Sequence, residues 1–530
     1  MLRISGRVAA VAAVLFISVA QSAQSQVTGF MQGVAEAASG DRAVAQFYRA
    51  NGYQPIWTGN GRRDKQRREA LLDALEAAGD HGLPASTYDL DPLRENLRRV
   101  QSERELGRIE VRLSQLFLEY AEDMQSGILD PERVISDIKR DRPMRSRFET
   151  LSVFAKNSPK AFFRGLPPQH PEYERLLKAK LDMERVIGRG GWGPKVSGRM
   201  IRPGESGANV VSLRNRLIAM GYLNRSSSQS YGKAIEDAVR AFQEDHGLAP
   251  DGVAGPGTIQ EINVEPEQRL ASIIVAMERE RWMNYDRGDR HIWVNLPDFS
   301  VQVIEGRKVV FESDTVIGAN RDDWRSPEFS DSMDHMVINP SWNVPRSIAV
   351  KEYLPLMQEN PQAAGHLTLL DQNRRPISRE GIDFTQYTPE TFPFDLKQPP
   401  SDGNALGLVK FMFPNANNIY LHDTPEKQYF GREVRAFSHG CIRVAKPFDF
   451  AYELLSAQER DPKAYFAQRR QQGMEQVVGL HDPVPIHLVY RTAIAPAQGR
   501  INFRRDVYGR DGRIFNALSR AGVELRGVRS

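Results

Sequence analysis

The chain has 530 residues, of which 40% are hydrophobic and 26% charged, with a formal net charge of +4 and one cysteine. That length calls for roughly three or four domains, the charge is too small to ask for a nucleic-acid partner, and a lone thiol excludes an intramolecular disulfide framework. Helical spacing in the first half gives way to alternation in the second, so the expected class is multidomain α+β.

The chain opens with Arg3 and Arg7 ahead of the apolar run Val8 to Ala20 and the small residues Ser18-Val19-Ala20. This is the layout of a signal peptide, expected over 1–23 and cleaved near Ala20 or Ala23. The run is shorter than the ~20 residues a spanning helix needs, and a retained N-terminal tether is the competing reading. From 41 to 195 the stretches Ala43–Ala50, Arg67–Ala78 and Leu106–Gln125 place apolar residues at helical spacing, broken by Gly79, Gly82, Pro84 and Asp130-Pro131. Two motifs there, Tyr53-Gln54-Pro55-Ile56-Trp57 and His81-Gly82-Leu83-Pro84, carry no catalytic chemistry. The cluster Arg62, Arg63, Arg67 and Arg68 reads first as a solvated helix face and second as a contact for anionic glycan or lipid.

Glycines at 188, 190, 191, 204 and 207 punctuate a boundary. Beyond it, 200–263 reads as a three-helix unit: Val210–Met220, Ile235–His246, then the turn Asp251-Gly252-Val253-Ala254-Gly255 and a third helix from Thr258. A connecting helix is expected over Glu267–Tyr285. Then the period changes to two, with strands at Ile292–Asn295, Ser300–Ile304, Val309–Phe311, Val316–Gly318 and Met336–Asn339. The pattern lapses over 352–407, too long for an idle loop. Phe384, Tyr387, Phe392 and Phe394 make it an expected aromatic flap over a site. Strands return at Leu408–Phe413 and Ile419–His422, a helix is expected at Pro447–Leu455 and a last core strand at Ile486–Tyr490. Residues 493–530 read as a C-terminal tail whose Tyr508-Gly509-Arg510-Asp511 has no assignable chemistry.

The chemistry concentrates in Leu421 to Val444. Cys441 sits in the polar, glycine-bearing turn Ser438-His439-Gly440-Cys441, with His422 upstream. A thiol with a pKa of ~8.5 is only a few per cent thiolate at neutral pH, and a nearby imidazole supplies the base that raises its reactivity. Gly440 lets the backbone approach a substrate, so that its N–H and that of Cys441 can face an oxyanion. Spacing leaves two other readings open. One is a buried bystander cysteine. The other is a metal site using His422, His439, Cys441 and a water, though it lacks the close ligand pairs of zinc motifs.

His422 followed by Ser438-His439-Gly440-Cys441 resembles the signature of the L,D-transpeptidase (YkuD-type) catalytic domain. The resemblance implies a β-rich catalytic domain at 290–492, a small sandwich or barrel-like fold with a lid insertion at 352–407. In that family a cysteine attacks the diaminopimelate carbonyl of a stem tetrapeptide, D-alanine leaves, and the amine of another stem resolves the thioester into a 3-3 cross-link. Carried over, Cys441 is the nucleophile and His422 the base, oriented by the Asp423 carbonyl. His439 and Ser438 line the site, and the Gly440 and Cys441 amides form the oxyanion hole. Arg443 stands where many members have Asn. Its fork of donors suits a stem carboxylate or an ordered turn, and a surface ion pair is the bland alternative.

Ala241-Phe242-Gln243 and Asp251–Gly255 resemble the peptidoglycan-binding type 1 domain, and 41–195 resembles the helical scaffold of the large periplasmic L,D-transpeptidases. These resemblances imply a periplasmic enzyme acting on peptidoglycan stems and glycan, alongside other cell-wall synthesis enzymes, with no metal or organic cofactor and with carbapenems acylating Cys441. Three alternatives stay open: an L,D-carboxypeptidase, an enzyme attaching protein to peptidoglycan, and a non-catalytic wall-binding scaffold.

Overall fold

The computed structural model describes residues 27–527 apart from Asp89, so the leader expected at 1–23 lies outside the described residues. Among the described residues no helix is long and apolar enough to cross a membrane. The chain is a helical N-terminal region, a small helical module, a connecting helix and a β-rich C-terminal region, a multidomain α+β architecture.

The N-terminal region is built on the helix Glu103–Ser126, opened by a capping box between Ser102 and Glu105. Its apolar stripe, including Leu113, Phe117, Tyr120 and Met124, is buried against Trp57, Leu71 and Phe154. Trp57 stacks on Phe154 with ring centroids 4.9 Å apart. Truncating Phe117 at this centre would cost about 3–5 kcal/mol. The Tyr53–Trp57 motif is explained by Glu110 on the same helix. This fully buried carboxylate accepts from the amides of Ile56 (2.6 Å), Trp57 (3.1 Å) and Thr58 (2.8 Å) and from the hydroxyls of Thr58 (2.8 Å) and Tyr48 (2.8 Å). Such a charge is tolerated because donors surround it.

The arginine cluster fits neither sequence reading as a whole. Arg67 is buried, Arg63 and Arg67 donate to the carbonyls of Lys156 and Ala155 and clamp the end of the helix Arg147–Lys156, Arg68 donates to the carbonyl of Trp57, and Arg62 is exposed. His81 stacks on Tyr173 with centroids 6.0 Å apart, a packing role for the second motif.

The middle module consists of the helices Ala208–Ala219, Lys233–Asp245 and Pro256–Ile262 around Leu213, Val239 and Phe242. Gln243 joins its two sequence motifs. Its amide donates to Asp251 Oδ1 (2.8 Å), Val253 O (3.0 Å) and Thr258 Oγ1 (3.0 Å) and accepts from Gly252 N (2.9 Å). The connecting helix Pro266–Trp282 is buried on nearly all sides, apolar residues and charges alike. Its charges are paired: Glu278 with Arg281 at 3.0 Å, and Glu280 with Arg287 at 2.7 Å and Arg491 at 2.6 Å.

The C-terminal region is a nine-stranded sheet in the spatial order 436–438, 308–318, 442–444, 421–422, 409–412, 329–338, 476–489, 290–295, 300–305. Strand 300–305 also pairs with 308–318, so the sheet curls shut around Val301, Met336, Phe411, Leu421 and Ile442. Over 352–407, where the strand pattern lapses, the chain forms short strands at Thr368–Leu370, Pro376–Ile377 and Asp395–Gln398, joined to Trp342–Asn343 in a sheet of its own. Phe384 and Phe392 are buried in this insertion's separate core, with Tyr387 and Phe394 packed edge-on against them. The aromatics expected to face a site therefore hold the insertion together, because the most apolar rings are the first to be buried.

Residues 493–527 are packed into the fold. Ala493–Ile494 pairs with Asn502–Phe503, and the helix Arg510–Arg520 lies on the connecting helix, where Arg279 pairs with Asp511.

Candidate active site

Strands Leu421–His422 and Ile442–Val444 run parallel with Leu421 opposite Ile442 and His422 opposite Arg443, and Ile442 N donates to Tyr420 O at 3.1 Å. Residues opposite each other share a face and successive residues alternate. Leu421 and Ile442 point into the core, so Tyr420, His422, Cys441 and Arg443 all project to the other face. Tyr420 packs against the core of the insertion, which places the four side chains between sheet and insertion. The next strand adds Lys410, opposite His422.

His422 is buried, and its ring is fixed by a 2.5 Å hydrogen bond from Nδ1–H to the Asp423 carbonyl. That bond assigns the proton to Nδ1 and leaves Nε2 as a lone-pair base. Burial, followed by the charges of Arg443, Lys427 and Lys410, holds its pKa down at about 3. Cys441 is half-buried and its thiol donates to Asn418 O at 3.6 Å. Burial pushes the thiol up to about 11, against hydrogen bonding from Tyr420 and the charges of Arg443 and Lys410. Both partners are therefore neutral at rest.

The turn carrying the thiol is closed from inside. Ser438 is 2% exposed, its hydroxyl donates to Cys441 O (2.5 Å) and accepts from Gly440 N (3.2 Å), and it offers no surface to a substrate. Gly440 has φ of 117°, a conformation L side chains rarely adopt. With its amide given to Ser438, the amide of Cys441 is the one without an acceptor among the described residues. His439 is drawn away from the thiol: Nε2 bonds Glu352 of the insertion at 2.5 Å and the ring lies 3.8 Å from that of Trp324. The Asp423 carboxylate is spent on Leu408 N (2.9 Å), Thr424 N (2.7 Å) and Lys427 (2.5 Å). Arg443 pairs with Glu426 at 2.7 Å, and its guanidinium lies over the Tyr429 ring.

Groups remote in sequence complete the site. Ser326 donates to Gly440 O (2.6 Å) and accepts from Gly318 N (3.0 Å), while Tyr508 donates to Gly318 O (2.6 Å) and accepts from Ser326 N (3.3 Å). The tail motif is thus a buttress of the nucleophile turn. Asn415 shapes the loop that presents the Asn418 carbonyl, bonding Phe413 O (2.6 Å) and Ile419 O (2.8 Å). The helix Pro447–Leu455 begins beyond the strand Ile442–Val444, on the order of 10 Å of extended chain. Its dipole, which acts within the first turn, does not reach the sulfur.

The ligand atoms of His422, His439 and Cys441 do not all lie within 4.8 Å of one another, unlike those of His170, Glu172 and Glu280. There Glu280 is already bridged by Arg287 and Arg491, and those cations occupy the place of a metal.

A thiol and a base imidazole on neighbouring strands of a closed sheet define a Cys–His domain, and comparison with known proteins gives it a family. Residues 289–471 match the family described as "L,D-transpeptidase catalytic domain", 206–262 match "Putative peptidoglycan binding domain" and 42–179 match "Scaffold domain". The chain contains a YkuD-type L,D-transpeptidase catalytic domain, from an enzyme family, and a peptidoglycan-binding domain.

A curated relative from Haemophilus influenzae, "Putative L,D-transpeptidase", is 30% identical over 228 residues, 42% of this chain and 45% of the relative. The amidase CwlL of Bacillus licheniformis is 38% identical over 66 residues, 12% of this chain and 18% of that protein. The chain thus spans less than half the length of either relative. A crystal structure of an L,D-transpeptidase from Stackebrandtia nassauensis aligns over 56% of this chain and 97% of its own at 13% identity, with a TM-score of 0.21.

Proposed function

We propose that this chain is an L,D-transpeptidase of the exported cell-wall compartment that joins peptidoglycan stems by 3-3 cross-links through a thioester on Cys441. The observation that carries the reading is the pairing of strands 421–422 and 442–444, which puts Cys441 and a base-form His422 on one face inside the matched catalytic domain.

In this reading His422 Nε2 takes the thiol proton as sulfur attacks the diaminopimelate carbonyl, and the Cys441 amide donates to the oxyanion. The C–N bond to D-alanine breaks, its nitrogen collecting the proton from Nε2. An amine of a second stem then attacks the thioester, gives its proton to Nε2, and the thiol is restored. Arg443 and Lys410 supply positive potential as charge develops on sulfur and oxygen. The middle module serves as the peptidoglycan anchor that brings strands to this face.

Mass spectrometry of disaccharide-tetrapeptides incubated with the purified protein tests the reading beside Cys441→Ala. A 3-3 dimer that vanishes in the variant supports it. Tripeptide alone makes the protein an L,D-carboxypeptidase, and an unaltered substrate pool redirects attention to a protein acceptor or a binding scaffold.

A further inference from the structure

Lys410 stands in the row of side chains beside the thiol, yet the proposed acyl-transfer steps leave its ammonium without a partner. It lies on the strand Val409–Met412, opposite His422 on one side and Val337 on the other. Its neighbours Val409 and Phe411 are fully buried in the core, so by alternation Lys410 projects to the opposite face, the one carrying His422, Arg443 and Cys441.

The charges around it differ in one respect. Arg443 has Glu426 at 2.7 Å and Lys427 has Asp423 at 2.5 Å. Lys410 is half-buried and, among the described residues, its ammonium makes no hydrogen bond and has no carboxylate within ion-pair distance, its backbone alone being paired in the sheet. Glu475, the carboxylate whose charge acts on it, is bonded to the Ser341 amide. Lys397, on the strand Asp395–Gln398 of the insertion, is likewise half-buried, and its charge acts on Lys410 in the same direction as burial, which is the main cause lowering the Lys410 pKa, while Glu475 and Cys441 oppose it. A half-desolvated ammonium group without a counter-charge is unfavourable, and an anion that binds it relieves that cost.

We propose that Lys410, assisted by Lys397, is a specificity-determining residue that binds a carboxylate of the acyl donor. The inference rests on the transpeptidase reading, under which the donor carries two carboxylates near the bond that breaks: that of the leaving D-alanine and that of the diaminopimelate side chain. Strand Val409–Met412 lies two strand spacings from that of Cys441, about 10 Å, a gap that the flexible lysine stem and a substrate carboxylate span together. This assigns the clamp to the donor, whose carbonyl must rest on the sulfur.

The test uses three donors: the tetrapeptide, the same peptide ending in D-alaninamide, and the same peptide with the diaminopimelate side-chain carboxyl amidated. Release of the C-terminal residue gives kcat/KM for wild type, Lys410→Met, Lys410→Arg and Lys397→Met. Wild type is expected to prefer the free acid over one of the two amides by ~10- to 100-fold, the worth of a charge-assisted hydrogen bond. In Lys410→Met that ratio falls toward one, Lys397→Met gives a partial fall, and Lys410→Arg restores most of the preference. Which amide shows the effect identifies the carboxylate. A preference that survives Lys410→Met for both amides overturns the inference, as does an equal loss on acid and amide alike. If wild type releases nothing from any donor, the function reading falls, and this inference with it.

Discussion

The protonation state of the Cys441–His422 pair is the most exposed part of the proposed chemistry. A thiol raised from 9.0 to about 11 is thiolate in about one molecule in a thousand at pH 8, against about one in ten for the unperturbed group. The thiolate is ~8-fold more nucleophilic in compensation, so iodoacetamide should alkylate the resting protein about tenfold more slowly than a model thiol at that pH. The rate should keep rising with pH through 10. His422, held near 3, stores no charge in the resting state, so His422→Gln should change this alkylation by less than about twofold. Acylation by the tetrapeptide should instead fall by ~10²–10⁴, because there the imidazole acts only as sulfur attacks. Adduct mass against time, across pH 6 to 10.5, measures both. An alkylation profile with an apparent pKa below 8 that moves upward in His422→Gln would refute the argument, since it would reveal a stored thiolate–imidazolium pair.

Ser326→Ala removes a hydroxyl bonded to both Gly440 O and Gly318 N and should cost about 2 kcal/mol in urea unfolding, with slower acylation of Cys441; an unchanged midpoint would deny the buttress. Gly407 has φ of 61°, and an added Cβ would lie 2.3 Å from the Asp423 carboxylate, so Gly407→Ala should destabilise by more than about 1 kcal/mol and shift the His422 ring signals in NMR. Acid should weaken the fold in a defined window. His422 and His487 are buried with pKa values of about 3 and about 4, below the unfolded value, so the unfolded chain binds the extra protons and stability present above pH 6.5 is lost as pH falls toward 4. At pH 5 each histidine removes about 2 kcal/mol, and a urea midpoint equal at pH 7 and pH 5 would contradict the burial of both rings.

What the sequence revealed and what it concealed divide by distance along the chain. Cys441, Gly440 and Ser438 lie within one turn and were legible together, whereas the pairing of His422 with Cys441 came from the resemblance to the L,D-transpeptidase signature, because alternation alone does not say which strands pair. Ser326 reaches Gly440 across 114 residues and Tyr508 reaches Gly318 across 190, and no local pattern marks such contacts. Lys410 was hidden inside Leu408–Phe413, where the strand was recognised but its pairing with 421–422, which decides what faces the thiol, was not. The tail motif showed no chemistry in sequence, yet Arg510 is buried against Glu328 at 3.0 Å and donates to Ser326 O at 2.9 Å. The insertion was noticed by length, while its aromatics were placed over the site when hydrophobicity had reserved them for its own core.

The charges around the sulfur favour a neutral pair over a stored one. A resting thiolate would need its counter-charge already in place, and the His422 imidazole is kept neutral by burial and by the cations Arg443 and Lys410. Those same cations lower the thiol pKa without overcoming its desolvation. They act oppositely on the two partners, opposing positive charge on the ring and favouring negative charge on sulfur. Proton transfer is therefore unfavourable until something else compensates, and in the proposed reaction a substrate carbonyl becoming an oxyanion at the Cys441 amide does so by taking the electron pair from sulfur as the proton leaves. In the proposed reaction, exclusion of water between the sheet face and the insertion strengthens each of these interactions. His439, bonded to Glu352 at its edge, then couples the nucleophile turn to the element that seals it.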